Sequence, residues 1–239
     1  MSALAIVPAG DAIVLAADGA VYDRQRGQLL GSITKLHVMP HLSTVFGAVG
    51  QGHLIHIFPH LIGFRFSSFD EVRENFAELC RASVSAQRTN NQWEDRARAT
   101  VVLAGWSEGN QAFEVFKLHT LDKFEHSAWD LHPISGVWCS TAPTPEHMDE
   151  VSLDANADSA LDVAAKLVCA NRLQSGAGVY EGDDYGEEDA YGVGCFLQMA
   201  LLRRDCVTSW IAHRWPDENG KVINPETGEK MPAFPIQKP

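Results

Sequence analysis

The amino-acid sequence predicts an α+β fold, a four-layer α-β-β-α sandwich. Three observations lead there. The elements run as four strands, two helices, three strands, one long helix and two strands. Several strands are continuously apolar, as in Ala12-Ile13-Val14-Leu15, which suits strands covered on both faces. The helices repeat apolar residues at spacings of three and four, so each offers one apolar face. Two sheets packed together with helices outside satisfy all three.

The elements follow in order. Residues 3–8 and 11–17 read as a strand pair turning at Gly10, and 34–39 and 43–49 as a second pair. A short helix over 52–62 carries Pro59, an interruption. A longer helix begins at Ser68, where Ser68 and Glu71 form a capping box; Val72, Phe76, Leu79 and Val84 share its apolar face. Strands return at 100–106 and 111–118, joined by a turn-forming Ser-Glu-Gly-Asn, and again at 135–140. A helix over 158–173 places Leu161, Ala164, Ala165 and Val168 on one side, with Asp158 as its cap. Two last strands flank the polar turn Arg203-Arg204-Asp205. Residues 216–239 hold five prolines and read as an extended tail that docks on a surface. The expected organisation is one domain over 1–215 followed by this tail.

Composition narrows the function. The chain has 239 residues, 45% of them hydrophobic, ample for a buried core. Its net charge is -12, with 31 acidic against 19 basic residues, which argues against nucleic acid as a partner. No apolar run is long enough for a membrane span, and the first residues lack the pattern of a signal peptide. Five scattered cysteines without a CxxC pair suit a reducing compartment, so the expected location is the cytoplasm.

Two features with possible binding chemistry read as structural. His53, His56 and His60 lie at helical spacing, but no carboxylate or cysteine joins them; a partly buried helix face explains them better than a zinc site. The segment 180–189 holds six acidic residues and reads as a solvated loop.

The chemistry gathers at the start of the chain. Ser2 follows Met1, and methionine is removed when the next side chain is small. The mature chain would then begin with a free α-amine beside a hydroxyl. Such an amine has an ordinary pKa of about 7.7–8.0 and can serve as a general base. Pairing of strands 3–8 and 11–17 returns Asp18 to the level of Ser2, and Lys35 lies on a neighbouring strand. A lysine ammonium there would lower the pKa of the amine, and Asp18 would pair with the lysine.

This constellation resembles the proteasome β-subunits and the bacterial HslV peptidase, within the N-terminal nucleophile hydrolases. "SALAIVPAGDAIVLAADG" matches the opening strand pair of that family without a gap, placing Ser2 on its N-terminal threonine and Asp18 on its aspartate. Lys35 in "ITKLH" falls on the family lysine after one inserted residue. Gly50 in "FGAVGQG" falls on the glycine whose N–H forms the oxyanion hole, Ser140 in "GVWCSTAP" on a supporting serine, and Ser175 in "RLQSGAG" on another. Two departures stand out: serine replaces threonine at residue 2, and Arg172 stands where the family has a supporting aspartate.

The resemblance implies an N-terminal serine hydrolase of peptide or amide bonds. Ser2 would be the nucleophile, its own amine the base, and Lys35 the group that tunes the amine. Asp18, Ser140 and Ser175 would support them, and Gly50 would stabilise the oxyanion. It implies no cofactor and no metal, and identical subunits in a ring-like homo-oligomer as partners. It leaves open an ATP-dependent unfoldase. Two alternatives share the features: a non-catalytic proteasome-fold assembly subunit, and an acylase acting on small-molecule amides.

Overall fold

A computed structural model describes residues 2–23, 27–50, 54–62, 65–91, 99–122, 127–154, 158–174, 191–227 and 231–236. The chain opens with strand β1 (Leu4–Ala9), turns at Gly10, and returns as β2 (Ala12–Asp18). Gly10 sits at φ +60°, a left-handed conformation that costs glycine little and lets the turn be tight. Register pairs Leu4 with Ala17 and Ala9 with Ala12, so Ala3 meets Asp18 at the far end.

Ten more strands follow: β3 (Ala20–Asp23), β4 (Gln28–Ser32), β5 (Leu36–Met39), β6 (Thr44–Gly50), β7 (Ala99–Ser107), β8 (Ala112–His119), β9 (His132–Pro133), β10 (Trp138–Cys139), β11 (Phe196–Arg203) and β12 (Cys206–Arg214). Four helices interleave them: α1 (Leu54–Ile62), α2 (Phe69–Asn91), α3 (Pro145–Glu150) and α4 (Ala160–Leu173). The first sheet has the order β10-β1-β2-β11-β12, the second β5-β6-β7-β8-β9, and β3 and β4 form a separate pair. Every pairing within them is antiparallel.

Strand pleating explains the continuous apolar runs. Successive side chains point to opposite faces. Ala5, Val7, Val14, Ala16, Leu197 and Met199 pack against Ala164, Ala165 and Val168 of α4. Their neighbours Leu4, Ile6, Ile13, Leu15 and Ala200 meet Leu36, Val45, Val102 and Ala104 of the second sheet. The other face of that sheet carries Phe46, Ala48, Val101 and Leu103 against Phe58 of α1 and Val72, Phe76 and Leu79 of α2. Both faces of the central strands are dry, so no alternation of polar and apolar residues survives in the sequence.

The structure corrects the expected four-layer α-β-β-α sandwich. Among the described residues strand outweighs helix, and the strands form three sheets. The pair β3–β4 escapes the sequence pattern because its strands are short and carry Tyr22, Asp23, Gln28 and Ser32 in place of an apolar run. The strand expected over 135–140 shrinks to Trp138–Cys139. Helix α3 was missed although its signal is local: Thr144 caps it by accepting from the His147 N–H, and Pro145 takes the first turn. Helix α1 runs through Pro59, which had been read as an interruption.

Helix α4 departs from the amphipathic pattern. Every residue from 161 to 172 is buried, including Asp162, Lys166, Asn171 and Arg172. Its cap is Ser159, whose Oγ accepts from the Asp162 N–H; Asp158, the expected cap, instead accepts from Lys166 Nζ at 2.7 Å. The proline-rich tail covers the outer face. Ile236 joins the core beside Phe234 and Met231, and its N–H donates to Asp162 Oδ1 at 2.7 Å. Farther back, the Gly220 N–H donates to the Leu29 carbonyl at 2.7 Å and the Leu29 N–H to the Lys221 carbonyl at 2.8 Å, which ties the tail to β4.

The second sheet is held to its helices by three rings. Phe46 and Phe58 stack at 4.0 Å between centroids, and Phe76 meets both edge-on at 6.2 and 5.2 Å. Phe76 is fully buried. Phe76→Ala should therefore cost about 3–5 kcal/mol in urea unfolding, the range for emptying a buried aromatic site; a loss under about 1 kcal/mol would show that these rings do not hold the helices on.

Candidate active site

The strand register builds the site. With Leu4 opposite Ala17, the end of β2 lies beside residues 2 and 3. The Asp18 N–H donates to the Ala3 carbonyl at 3.2 Å, and the Ala3 N–H donates to Asp18 Oδ1 at 2.9 Å. The apolar strand thus delivers its carboxylate to the head of the chain. Gly19 follows at a point where a Cβ would lie 2.5 Å from the Phe196 ring, so only glycine fits the turn.

Lys35 joins from the start of β5. Its Nζ donates to Asp18 Oδ1 and to Ser2 Oγ, both at 2.7 Å. Asp18 is fully buried and Lys35 nearly so. A buried carboxylate needs donors on both oxygens. Asp18 has them: Ala3 N–H and Lys35 on Oδ1, and the N–H groups of Ala20 (2.9 Å) and Gly194 (3.3 Å) on Oδ2. Burial pushes the Lys35 amine below its ordinary pKa of 10.5, and the charge and hydrogen bond of Asp18 oppose that shift.

Ser140 serves the main chain. Its Oγ accepts from the Leu4 N–H at 3.0 Å and donates to the Ser2 carbonyl at 3.2 Å, while its own N–H donates to the Leu4 carbonyl at 2.8 Å. These bonds fix the backbone on which Ser2 is mounted.

The contacts above join Ser2, Asp18, Lys35 and Ser140; Gly50 is not among them. Gly50 ends β6, exposed, at φ +100°. Ser175 lies outside the described residues, as do His53, the side chain of His56 and the acidic segment 180–189. His60 is exposed on α1. Among the described residues no three His, Cys, Asp or Glu converge as a metal site would need, and no helix is long and apolar enough to cross a membrane.

Arg172 was read as a departure from the family pattern, and its surroundings explain what it does instead. It is 1% exposed and forms a two-pronged pair with Asp217, Nη1 to Oδ2 and Nη2 to Oδ1, both 2.9 Å. Its charge is met by a carboxylate from the tail.

Gln198 was not foreseen. Its Oε1 accepts from the N–H groups of Lys35 (2.9 Å) and Leu36 (3.0 Å), and its Nε2 donates to the Leu36 carbonyl at 2.8 Å. It clamps the start of β5 and so aims Lys35. One signal was available: Gln198 is the lone polar residue between Phe196 and Leu202 in an otherwise apolar strand. Cys195 also lies close enough to feel the charges of Asp18 and Lys35. Burial first, then Asp217 and Asp18, push its thiol up to about 11, so it stays protonated at neutral pH and does not compete as a nucleophile.

No protein-family model matches the sequence, and no curated protein matches it. Solved structures do. Anbu, described as an ancestral beta-subunit, from Yersinia bercovieri, aligns with a TM-score of 0.58 at 10% identity, covering 88% of this chain and 87% of its own. An Anbu mutant from Hyphomicrobium sp. strain MC1 aligns with a TM-score of 0.56 at 11% identity, covering 91% and 89%. The fold is proteasome-like. This corrects the resemblance to proteasome β-subunits and HslV drawn from the opening residues: the matching structures are Anbu proteins, a proteasome-like but distinct family, and at 10% identity the likeness is one of fold alone.

The clamp can be tested directly. Gln198→Leu keeps the side-chain bulk but leaves two buried N–H groups without an acceptor. Each such group costs about 1–3 kcal/mol, so urea unfolding should show a loss of at least that size. A change within experimental error would mean that the start of β5 is held by other contacts.

Proposed function

We propose that this chain is a proteasome-like N-terminal serine hydrolase of peptide or amide bonds. One observation carries the reading: the buried Lys35 Nζ sits 2.7 Å from both Ser2 Oγ and Asp18 Oδ1. A structural ion pair has no need of a serine at the head of the chain. A nucleophile does need activation, and a cation beside its oxygen favours the ionised form.

The chemistry follows from that contact. Removal of Met1 frees the Ser2 α-amine. Because Nζ donates to Oγ, the hydroxyl proton is turned away from Lys35 and can pass to the amine. Oγ attacks the substrate carbonyl, and the carbonyl π electrons move onto oxygen. The N–H of Gly50 is the donor proposed for that oxyanion, a contribution of about 2.7–4 kcal/mol in related settings. The tetrahedral species collapses as the α-ammonium returns its proton to the leaving nitrogen, which leaves an ester on Ser2. Water, with the amine again as base, hydrolyses the ester and restores Oγ–H. The Lys35 ammonium keeps the α-amine neutral by repulsion, and Asp18 holds the ammonium in place.

A second reading has its own observation. Arg172 is committed to Asp217 at a position where the resemblance expects a supporting aspartate, which favours a non-catalytic assembly subunit. Both readings share a homo-oligomer, and the description of the matched Anbu as an ancestral beta-subunit supports it.

Three measurements test these proposals. Protein from its native host should lack Met1 by intact mass, and an epoxyketone, which needs hydroxyl and amine together, should label Ser2. The labelling rate should rise with pH and level off below about 7.7–8.0, the ordinary range of an α-amine, because the neighbouring ammonium lowers it. Ser2→Ala and Lys35→Ala should each abolish labelling, since the groups act as a unit. Quantitative retention of Met1, or equal labelling of Ser2→Ala, would move the assignment to the non-catalytic subunit. Light scattering at micromolar concentration should give a particle several times the 26.2 kDa chain; a stable monomer would exclude the oligomer.

A further inference from the structure

We propose that the buried Arg172–Asp217 pair is a positioning device for the reacting group, through which the C-terminal tail holds Asp18 in place. The proposal rests on the reading of Ser2, Asp18 and Lys35 given above. It starts from residues 193–195, three consecutive residues each held through its backbone. The Val193 carbonyl accepts from Arg172 Nη1 at 2.9 Å. The Gly194 N–H donates to Asp18 Oδ2 at 3.3 Å, and the Gly194 carbonyl accepts from the Gly19 N–H at 3.1 Å. The Cys195 N–H donates to Asp217 Oδ2 at 2.7 Å. The ion pair thus grips the residue on each side of the one that serves Asp18.

Three further facts show how tightly the grip is set. A Cβ on Gly194 would lie 2.4 Å from Asp217 Oδ2 and 2.9 Å from Arg172 Nη1, so the pair presses directly on that backbone. Cys195 adopts φ +65°, a left-handed conformation that a non-glycine residue keeps only where its surroundings enforce it. Trp215 closes the cluster: its ring lies 4.7 Å from the Arg172 guanidinium carbon, and its backbone N–H donates to the Cys195 carbonyl at 3.0 Å.

Anchoring the tail would not by itself call for these charges. A buried ion pair adds little stability over apolar residues of the same volume. Ile223, Phe234 and Ile236 already dock the tail through apolar contacts. An apolar pair could not give a donor to Val193 and an acceptor to Cys195. Those two bonds are what the charges add, and they set the Gly194 N–H against Asp18. Asp18 in turn faces Lys35, whose Nζ also donates to Ser2 Oγ.

The test uses the full chain with Arg172 and Asp217 replaced together, Arg172→Met with Asp217→Leu, so that no charge is left buried alone. The variant should keep a cooperative thermal transition. Its crystal structure should show the Gly194 nitrogen out of hydrogen-bond range of Asp18. Labelling of Ser2 by an epoxyketone should slow by at least about tenfold at neutral pH. The inflection of its pH profile should move up by about half a unit or more, toward the ordinary amine value, as Lys35 loses its fixed partner. A folded variant that keeps the Gly194–Asp18 bond and the wild-type profile overturns the proposal and leaves the pair as a tail anchor. If the double variant does not fold, Arg172→Lys decides: it keeps the charge but cannot reach both Asp217 and Val193, so a smaller shift in the same direction is expected and an unchanged profile and structure refute it. If the wild-type protein itself is never labelled, the hydrolase reading fails, and the crystal structures alone decide whether the pair positions Asp18.

Discussion

Burial of the Lys35–Asp18 pair is the constraint around which the rest of this protein is arranged. Taking two charges out of water is costly, and their mutual attraction offsets the cost only when every remaining donor and acceptor is met. Asp18 meets that demand with backbone N–H groups from three places: Ala3 just before β1, Ala20 at the start of β3, and Gly194 just before β11. Each must arrive in register. A slip of one residue in β1–β2 would turn the carboxylate to the other face and strand it without donors. The ion pair therefore specifies strand order more sharply than the apolar contacts around it, which tolerate exchange among similar side chains.

The same demand explains the polar residues inside an otherwise dry molecule. Gln198 sits in an apolar strand because β5 begins at Lys35, where two N–H groups would lack partners. Ser140, just past β10, meets the Leu4 N–H and the Ser2 carbonyl on the edge of β1 that faces β10. Arg172 and Asp217 occupy the next layer out. Each of these buried polar groups answers one or more backbone groups, and their contacts run continuously from the tail to Ser2.

The two helical faces are built differently. On the second sheet, stacked phenylalanines join α1 and α2 to β6 by contact area alone. On the first sheet, α4 is enclosed between strands and tail, so its polar residues are buried and must find partners: Asp162 the Ile236 N–H, Lys166 Asp158, and Arg172 Asp217. An all-apolar helix would have packed as well. The charged one also fixes where the tail runs, because each charge accepts a partner at only one place.

What the sequence determined by itself was local. Gly10 between two apolar runs specifies the β1–β2 turn, and antiparallel pairing across it brings Asp18 to the level of the head of the chain. Ser68 and Glu71 mark the start of α2, and spacings of three and four mark its buried face. Lys35 could be placed only on a neighbouring strand. Tertiary structure decided the remainder. Three sheets in place of two followed from β3 and β4, whose short polar stretches become strands by pairing with each other, not by propensity. The burial of α4 on all sides depends on a tail about sixty residues away. Gln198, Gly194 and Asp217 serve the site from more than 150 residues along the chain, and no period or spacing connects such distant positions. Hydrophobic periodicity reports which face of an element is dry. It carries no record of which distant backbone group a buried side chain must satisfy, and that pairing is what shapes this site.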